Sequence, residues 1–302
     1  MRSLTNRITK ACIVYGIGDA LNARAFLITY CKQKHIARKS IRIYSPKYWW
    51  MFEGLGFLRG TNRRDFFHLT PYRNFGRFDL PKKIKEEKLD ACIAKNAGIK
   101  FSFDTIVPLP RFKKPNILLP KKYITFNTGF NKGYCMDYDG DPKDIGMVCL
   151  KAWPAAHWEK LISLLNTINI KCIQIGAGKN SAIIPGTYLN LVDKLSITQS
   201  AEVLRNALFH IDIEGGLPIL NQHLNNKSVV LFGPTAIEQQ GRSFNLNLKA
   251  NTCNPCYEWG IHRTNLGEYI SNLPCKAHCM SDLTPEYVFS RIRETFLKGI
   301  VV

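Results

Sequence analysis

The segment YGIGDALNARAF, residues 15–26, places a carboxylate in a turn of the kind that binds nucleotides. A β-branched run, ACIVY, leads into two glycines, and a helix-forming stretch follows. Such turns let backbone N–H groups approach a phosphate closely. Here Leu21 stands at the third glycine position, and Asp19 lies at the mouth of the turn, where its charge would repel a phosphate. Asp19 is therefore either a helix N-cap or an acid–base group, and the residue types leave both interpretations open.

Two similar turns lie within 22 residues of each other in the second half of the chain. DIEGG ends one predicted strand and begins a helix, and VVLFGPT ends the next strand. Glycine amides at a helix start suit a phosphate, and a carboxylate can accept a hydrogen bond from a ribose or sugar hydroxyl. The alternative is that both segments are ordinary turns that bind no ligand. The candidate ligand residues are Glu214, Gly215, Gly216, Gly233, Pro234 and Thr235.

Lys151 and Thr128 are the predicted phosphate contacts outside these turns. Lys151 comes just before the amphipathic segment AWPAAHWEKLI, so a diphosphate could lie between its ammonium and the amides of the helix start. Thr128 ends the predicted strand YITFNTG. An exposed lysine is the alternative for Lys151, and the neighbouring motifs favour a ligand site.

Four cysteines near the C-terminus have the spacing of a metal site, C-x2-C-x18-C-x3-C. Four thiolates suit a tetrahedral structural Zn²⁺ or an iron ion held in the same way. We predict a cysteine knuckle, a metal-binding loop over residues 253–279, with four loop thiols as the alternative. The predicted ligands are Cys253, Cys256, Cys275 and Cys279.

The net charge of +19 is concentrated in one half of the chain. Residues 1–122 contain 26 Lys and Arg against 8 Asp and Glu, whereas residues 123–302 contain 16 against 15. A field of this sign attracts polyanions, and no zinc-finger, RRM or KH pattern supports nucleic acid. The predicted contacts to an anionic partner are Arg59, Arg63, Arg64 and Arg73.

The order of predicted elements indicates an α/β protein with two domains. Strands alternate with helices in both halves, which is typical of parallel sheets covered on both faces. We predict a basic domain over residues 1–115 and a second domain over 116–302, facing each other across a cleft. Residues 46–57 are predicted to form a helix that begins at Pro46. The N-terminus has no apolar run suited to a signal peptide or membrane span, so we expect a cytoplasmic protein.

Six motifs in order resemble glycosyltransferase family 9, the bacterial heptosyltransferases: GIGDAL, KAWPAAHWEKLI, IQIGAG, DIEGGLPIL, VVLFGPT and LTPEYV. The resemblance implies a GT-B fold of two facing Rossmann-like, doubly wound domains. It implies inverting transfer of heptose from ADP-heptose, without a catalytic metal or cofactor, to the phosphorylated inner core of lipopolysaccharide at the cytoplasmic membrane face. By position, Asp19 becomes the general base and Lys151 the ligand of the donor diphosphate, and the two glycine turns complete the donor site.

Two departures from this family keep other functions open. Ile219 stands where the family often has histidine, with His223 one helical turn further on, and the loop between Thr128 and Lys151 is longer than in the commoner members. The cysteine pairs also resemble the metal-bound finger of heptosyltransferases that modify autotransporter proteins, so a protein hydroxyl is an alternative acceptor. A non-catalytic protein with a degenerate transferase fold is the third possibility.

Overall fold

The computed structural model describes residues 8–13, 16–61, 67–68, 89–129, 151–178, 181–233, 235–251 and 279–298. Contacts divide the chain into two compact units, Met1–Leu109 and Pro110–Val302. The composition predicts a boundary after residue 115, in the same proline-rich stretch. In the described part of the chain, no helix is both long and apolar enough to span a bilayer.

The N-terminal unit contains a four-stranded parallel sheet with the strand order β3-β2-β1-β4. Helix α1 follows β1 directly, and short 3₁₀ turns at Arg38–Ser40 and Trp49–Met51 flank β2. The elements are β1 Lys10–Cys12, α1 Ile17–Gln33, β2 Arg42–Tyr44, β3 Leu58–Arg59, β4 Phe67–His68 and α2 Leu89–Ala97.

A buried arginine fastens α1 to the rest of this unit. Arg24 is 1% exposed, and its guanidinium donates hydrogen bonds to the carbonyl oxygens of Met51, Val107 and Pro108 at 2.8, 2.7 and 3.0 Å. Burial, with a smaller contribution from the nearby Arg38, lowers the pKa of Arg24 to about 10. The five donors of a guanidinium suit this task, because one side chain can satisfy several buried carbonyls.

The C-terminal unit contains a six-stranded parallel sheet with the strand order β10-β9-β8-β5-β6-β7. Its strands are β5 Tyr123–Phe126, β6 Lys171–Gln174, β7 Leu189–Asn190, β8 His210–Ile213, β9 Ser228–Phe232 and β10 Leu246–Lys249. Its helices are α3 Ala155–Thr167, α4 Ile197–Asn206, α5 Gly216–His223, α6 Ile237–Gln240 and α7 Pro285–Phe296.

The three central strands β5, β8 and β9 are buried along their whole lengths. Strands covered on both faces read as apolar runs, which is why YITF and SVVLF are recognisable in the sequence. Trp158 of α3 packs on Phe126 of β5 with ring centroids 5.6 Å apart. Thr284 caps α7, with Pro285 at its first position, as the sequence predicts. Because these strands are parallel, the segments that follow them all begin at the same edge of the sheet.

The helix predicted over residues 46–57 is wrong. Only the 3₁₀ turn Trp49–Met51 forms there, and turns follow it. Gly54 and Gly56 have φ angles of +73° and +82°, in the left-handed region, which an α-helix does not contain. The apolar side chains that suggested a helix, Met51 and Phe52, are buried from the turn instead.

Candidate functional site

Three residues from separate motifs meet at the carboxyl edge of the C-terminal sheet. Glu214 follows β8, Thr235 follows β9, and Lys151 precedes α3. The Lys151 ammonium forms an ion pair with Glu214 Oε2, and the Thr235 hydroxyl donates to the same oxygen at 3.3 Å. The side chains of Lys151 and Glu214 are only 10% and 17% exposed. The fold therefore brings together three of the predicted donor-site residues.

Helix α5 begins beside this cluster. Gly215 is the N-cap of α5, and because it has no side chain, no side-chain hydrogen bond caps the helix there. Gly216 is the first residue of the helix. The first N–H groups of a helix lack intrahelical partners and carry partial positive charge, so they suit an anion or an acceptor oxygen. Gly233 is buried directly after β9, and Pro234 lies outside the described residues.

The Lys151–Glu214 pair determines what this cluster can bind. An anion that approaches Lys151 has to compete with the Glu214 carboxylate for the same ammonium. A hydroxyl group, in contrast, can donate to Glu214 without displacing the pair. The cluster therefore suits a ligand that carries both phosphate and hydroxyl groups.

Thr128 lies at the end of β5, with its hydroxyl already bonded. Its Oγ1 donates to the Ala182 carbonyl at 2.8 Å and accepts from Gln174 Nε2 at 3.1 Å. Thr128 is 8% exposed. These bonds hold the loop after β6 against the strand, and a contact between Thr128 and a phosphate stays a prediction.

A buried polar network lies under the carboxyl edge of this sheet, and the sequence analysis did not predict it. Asp212 Oδ1 accepts from Asn127 Nδ2 at 3.0 Å, and Asp212 Oδ2 lies 3.3 Å from His210 Nε2. The other ring nitrogen of His210 lies 3.0 Å from the Thr125 hydroxyl. Burial raises the pKa of Asp212, while its bonds to His210 and Asn127 act in the opposite direction. The available signal was the pair of polar residues inside the apolar strand LFHIDI.

Asn127 extends this network to the loop after β5. Its amide donates to the Gly129 carbonyl and accepts from the Gly129 N–H, both at 3.0 Å. Gly176 has a φ of +142°, and a Cβ there would lie 2.4 Å from Asn127 Oδ1. The close approach explains why glycine stands at position 176. The network thus fixes the backbone that leaves β5 and bonds it to the end of β8.

Asp19 lies in the first turn of α1, in the N-terminal unit. The N-cap of α1 is Gly16 and Asp19 is the third helical residue, so the N-cap interpretation of Asp19 is wrong. A carboxylate in this turn is favoured by the helix dipole. Asp19 is half-buried and, like the residues after β8, follows the carboxyl end of a parallel strand.

The remaining predicted residues fall into two groups. Arg59 is exposed on β3, and its guanidinium lies 5.7 Å from the centre of the Trp49 ring. Cys279 is buried, and no cluster of three or more metal-binding side chains occurs among the described residues. The metal site and the cysteine knuckle stay predictions. The residues that lie outside the described part of the chain are Arg63, Arg64, Arg73, Cys253, Cys256 and Cys275.

Comparison with known proteins supports one family. No family model matches the chain. Lipopolysaccharide heptosyltransferase 1 of Salmonella typhimurium is 30% identical over 91 residues, and the enzyme of Escherichia coli K12 is 30% identical over 92. The match spans 28% of this chain and only 29% and 28% of those proteins.

Solved structures match over nearly the whole chain. The iron-containing glycosyltransferase TibC of enterotoxigenic Escherichia coli has a TM-score of 0.70 at 14% identity, covering 97% of this chain and 76% of TibC. A family 9 glycosyltransferase of Veillonella parvula has a TM-score of 0.58 at 11% identity, covering 96% and 97%. Heptosyltransferase II of Escherichia coli has 0.52 at 13% identity, covering 97% and 100%. These matches confirm the predicted α/β fold of the GT-B glycosyltransferases, and the chain is similar to family 9.

We expect the buried network to tolerate an amide at position 212 but not an alkyl group. Asp212→Leu leaves one N–H of the Asn127 amide and the Ile213 N–H without their acceptor, at a cost of about 2–4 kcal/mol in the free energy of unfolding. Asp212→Asn costs much less, because its oxygen can accept from Asn127 while its N–H₂ can donate to a ring nitrogen of His210. Thermal melting, together with hydrogen exchange of β5 and β8, measures both variants. Equal losses in the two variants would contradict this account.

Proposed function

We propose that this protein is a glycosyltransferase that transfers heptose from ADP-heptose to an anionic glycolipid of the lipopolysaccharide core type. The observation that carries the proposal is the cluster of Lys151, Glu214 and Thr235 beside the start of α5. Its relatives support the same reaction. The partial sequence matches are to heptosyltransferases, and one TibC structure contains ADP-D-beta-D-heptose.

On the donor side, we assign the phosphates to Lys151 and the first turn of α5. Lys151 changes partner from Glu214 to a phosphate oxygen, and Thr235 supplies a hydroxyl donor next to it. Glu214, with its acceptor oxygens released, takes a hydroxyl of the ribose or the sugar. Gly233, Pro234 and Thr128 line the same edge, with Gly215 and Gly216 at the helix start.

Asp19 serves as the general base in this proposal. Its carboxylate accepts the proton of the acceptor hydroxyl as that oxygen forms a bond to the anomeric carbon. The bond between the anomeric carbon and the phosphate oxygen breaks, and ADP leaves with the bonding electrons. Lys151 and the amides of α5 stabilise the charge that develops on the leaving diphosphate. This single displacement inverts the anomeric centre and assigns no step to a metal or cofactor.

The basic N-terminal half provides the acceptor side of the proposal. Phosphorylated glycan at the inner face of the cytoplasmic membrane is a polyanion that an excess of Lys and Arg attracts. The four C-terminal cysteines would hold Zn²⁺ or iron as a structural ion that ties their loop together. We expect no nucleic acid partner. The proposed acceptor contacts are Arg59, Arg63, Arg64 and Arg73.

A protein hydroxyl is the second candidate acceptor. Two observations favour it: the C-x2-C-x18-C-x3-C spacing, and the TM-score of 0.70 with TibC, which is described as iron-containing. The charge asymmetry favours the glycolipid, because a neutral peptide acceptor gives no reason for the basic half.

A charge-balanced double variant tests the donor site. Lys151→Met alone would leave the buried Glu214 carboxylate unpaired and would destabilise the fold. Lys151→Met combined with Glu214→Gln removes both charges, so we expect near-normal melting but a loss of about 1.5–3 kcal/mol in ADP binding. Lys160→Met combined with Glu159→Gln, at two exposed neighbours in α3, is the matched control and should keep ADP affinity. Calorimetry measures ADP against UDP, GDP and CDP. Equal ADP affinity in the double variant and the wild type, or no ADP binding by the wild type, contradicts the assignment.

Salt and acceptor charge test the acceptor side. Charge attraction at an exposed surface fades over about 8 Å at physiological ionic strength. We therefore expect the KM for a phosphorylated glycolipid to rise with salt, to rise on dephosphorylation and to rise several-fold in Arg59→Gln. Arg291→Gln, at an exposed arginine in the other unit, is the matched control. The glycolipid assignment would be refuted if the acceptor KM stayed the same with added salt, with a dephosphorylated acceptor and in Arg59→Gln. Transfer to a protein hydroxyl under the same conditions would also refute it.

The base is tested by Asp19→Asn. The amide preserves size and some polar contact in the first turn of α1 but cannot accept the proton, so we expect ~10²–10⁴-fold slower turnover. ADP affinity should be unchanged, since the assigned donor contacts lie elsewhere. Glu53→Gln, at an exposed carboxylate of the same unit, should leave turnover as it is. An Asp19→Asn protein with normal turnover would remove Asp19 from the mechanism.

A further inference from the structure

A small pocket opens beside Glu214 and Gly215, on the side of α5 that carries Pro218 and Ile219. Its wall is formed by α5 and by Val230 and Phe232 of β9, and the segment that runs from α6 into β10 closes it. The pocket has room for a group about the size of a water molecule, such as a single hydroxyl group. Its polar residues are Gln240, Arg242, Asn245 and Asn247.

The orientations of two of the pocket amides are fixed by the backbone. The Asn245 oxygen accepts the Ser228 N–H at 3.0 Å, and the Asn247 N–H₂ donates to the Arg242 carbonyl at 2.9 Å. The remaining atoms are a donor, Asn245 Nδ2, and an acceptor, Asn247 Oδ1. Both are buried without a hydrogen-bond partner in the described part of the chain.

Gln240 adds a third such atom. The residue is 8% exposed, and its Nε2 likewise has no partner among the described residues. Buried amide groups without partners are costly, and native proteins retain few of them. Three around one small pocket indicate that a polar group which enters the pocket completes their hydrogen bonds.

We propose that this pocket recognises a hydroxyl-bearing arm of the donor sugar and thereby determines which sugar is transferred. The proposal rests on the donor site proposed above, because Glu214 and Gly215 belong to both. A hydroxyl group both donates and accepts, so it complements Asn247 Oδ1 and Asn245 Nδ2 together. A phosphate only accepts, and it would meet the Asn247 oxygen and the Glu214 carboxylate here. The acceptor groups of the pocket therefore favour a hydroxyl over a phosphate, and the Arg242 guanidinium can donate to either of them.

Ile219 gives the pocket an apolar side next to these amides. The C–H groups of a sugar arm can pack against Ile219, Pro218 and Phe232 while its hydroxyl reaches the amides. The residue at which the chain departs from the family pattern is thus a wall of the pocket. Specificity of this type depends on buried polar groups that a sugar without the hydroxyl would leave unpaired.

Gln240→Leu tests the pocket, because it separates recognition from stability. Leucine has a similar size and removes a buried donor without a described partner, so we expect an unchanged or higher melting temperature. ADP affinity should stay the same. The preference of the wild type for ADP-heptose over an ADP-hexose that lacks the terminal hydroxymethyl carbon should fall about tenfold or more. Glu238→Gln, at an exposed residue of the same helix, is the control.

Each outcome decides a different point. An unchanged preference in Gln240→Leu, or a wild type without preference, overturns the pocket assignment but leaves the donor site intact. An equal loss of ADP and ADP-heptose affinity in the variant assigns the pocket to the nucleoside and also overturns the proposal. A wild type that binds neither ADP nor ADP-heptose refutes the proposed function itself. If Gln240→Leu does not fold, Asn247→Ser takes its place with the same ligands.

Discussion

The ion pair between Lys151 and Glu214 joins two segments that are far apart in the sequence at the edge of one sheet. Both side chains are largely removed from water, so each charge depends on the other for its compensation. Thr235 adds a hydroxyl donor from a third segment. A ligand that binds Lys151 must therefore exchange partners within this cluster, and the affinity of the site is the difference between two charged arrangements. An anionic ligand bound to Lys151 would thus replace the Glu214 carboxylate as its partner.

Such an exchange requires that the sheet below the cluster keeps its position, and the buried hydrogen-bond network stabilises that part of the sheet. Asp212 is two residues before Glu214 in the chain, and its carboxylate is bonded to Asn127, His210 and the Ile213 N–H. Its partners are all internal to the sheet, in contrast to the ammonium that pairs with Glu214. The bond between Asn127 and Asp212 links the ends of strands β5 and β8 just below the edge at which Lys151 and Glu214 lie. Asn127 also bonds to Gly129 and so fixes the start of the loop after β5. Rigid strands with exchangeable groups at their ends are what a preorganised site requires.

The sequence allowed the fold class and the central strands to be predicted, because local patterns specify them, and it singled out the three residues that the fold brings together as Lys151, Glu214 and Thr235. Apolar runs mark buried parallel strands, and glycines mark the turns that follow. The partners of each side chain were not predictable, since they come from distant segments. Thr128 follows strand β5 as predicted, and its hydroxyl is bonded to Gln174 and Ala182, which the sequence did not indicate. Asp19 proved to be the third residue of α1, because that helix begins one residue after Gly16. The wrongly predicted helix at 46–57 has a local cause, the left-handed Gly54 and Gly56.

Strand β8 and the residue after it contain two carboxylates, Asp212 and Glu214, whose surroundings differ. Asp212 accepts hydrogen bonds from Asn127 and the Ile213 N–H inside the sheet, and burial raises its pKa. Glu214, two residues on, is at the point where the strand leaves the sheet and the helix begins. There the partner is a flexible side chain, a lysine, which can turn toward a phosphate while the carboxylate turns toward a hydroxyl. In the adjoining pocket, backbone bonds likewise fix two amides, those of Asn245 and Asn247, whose other polar atoms have no partner among the described residues. Position relative to the sheet edge, rather than residue type, thus separates the carboxylate that bonds within the sheet from the one to which we assign a ligand.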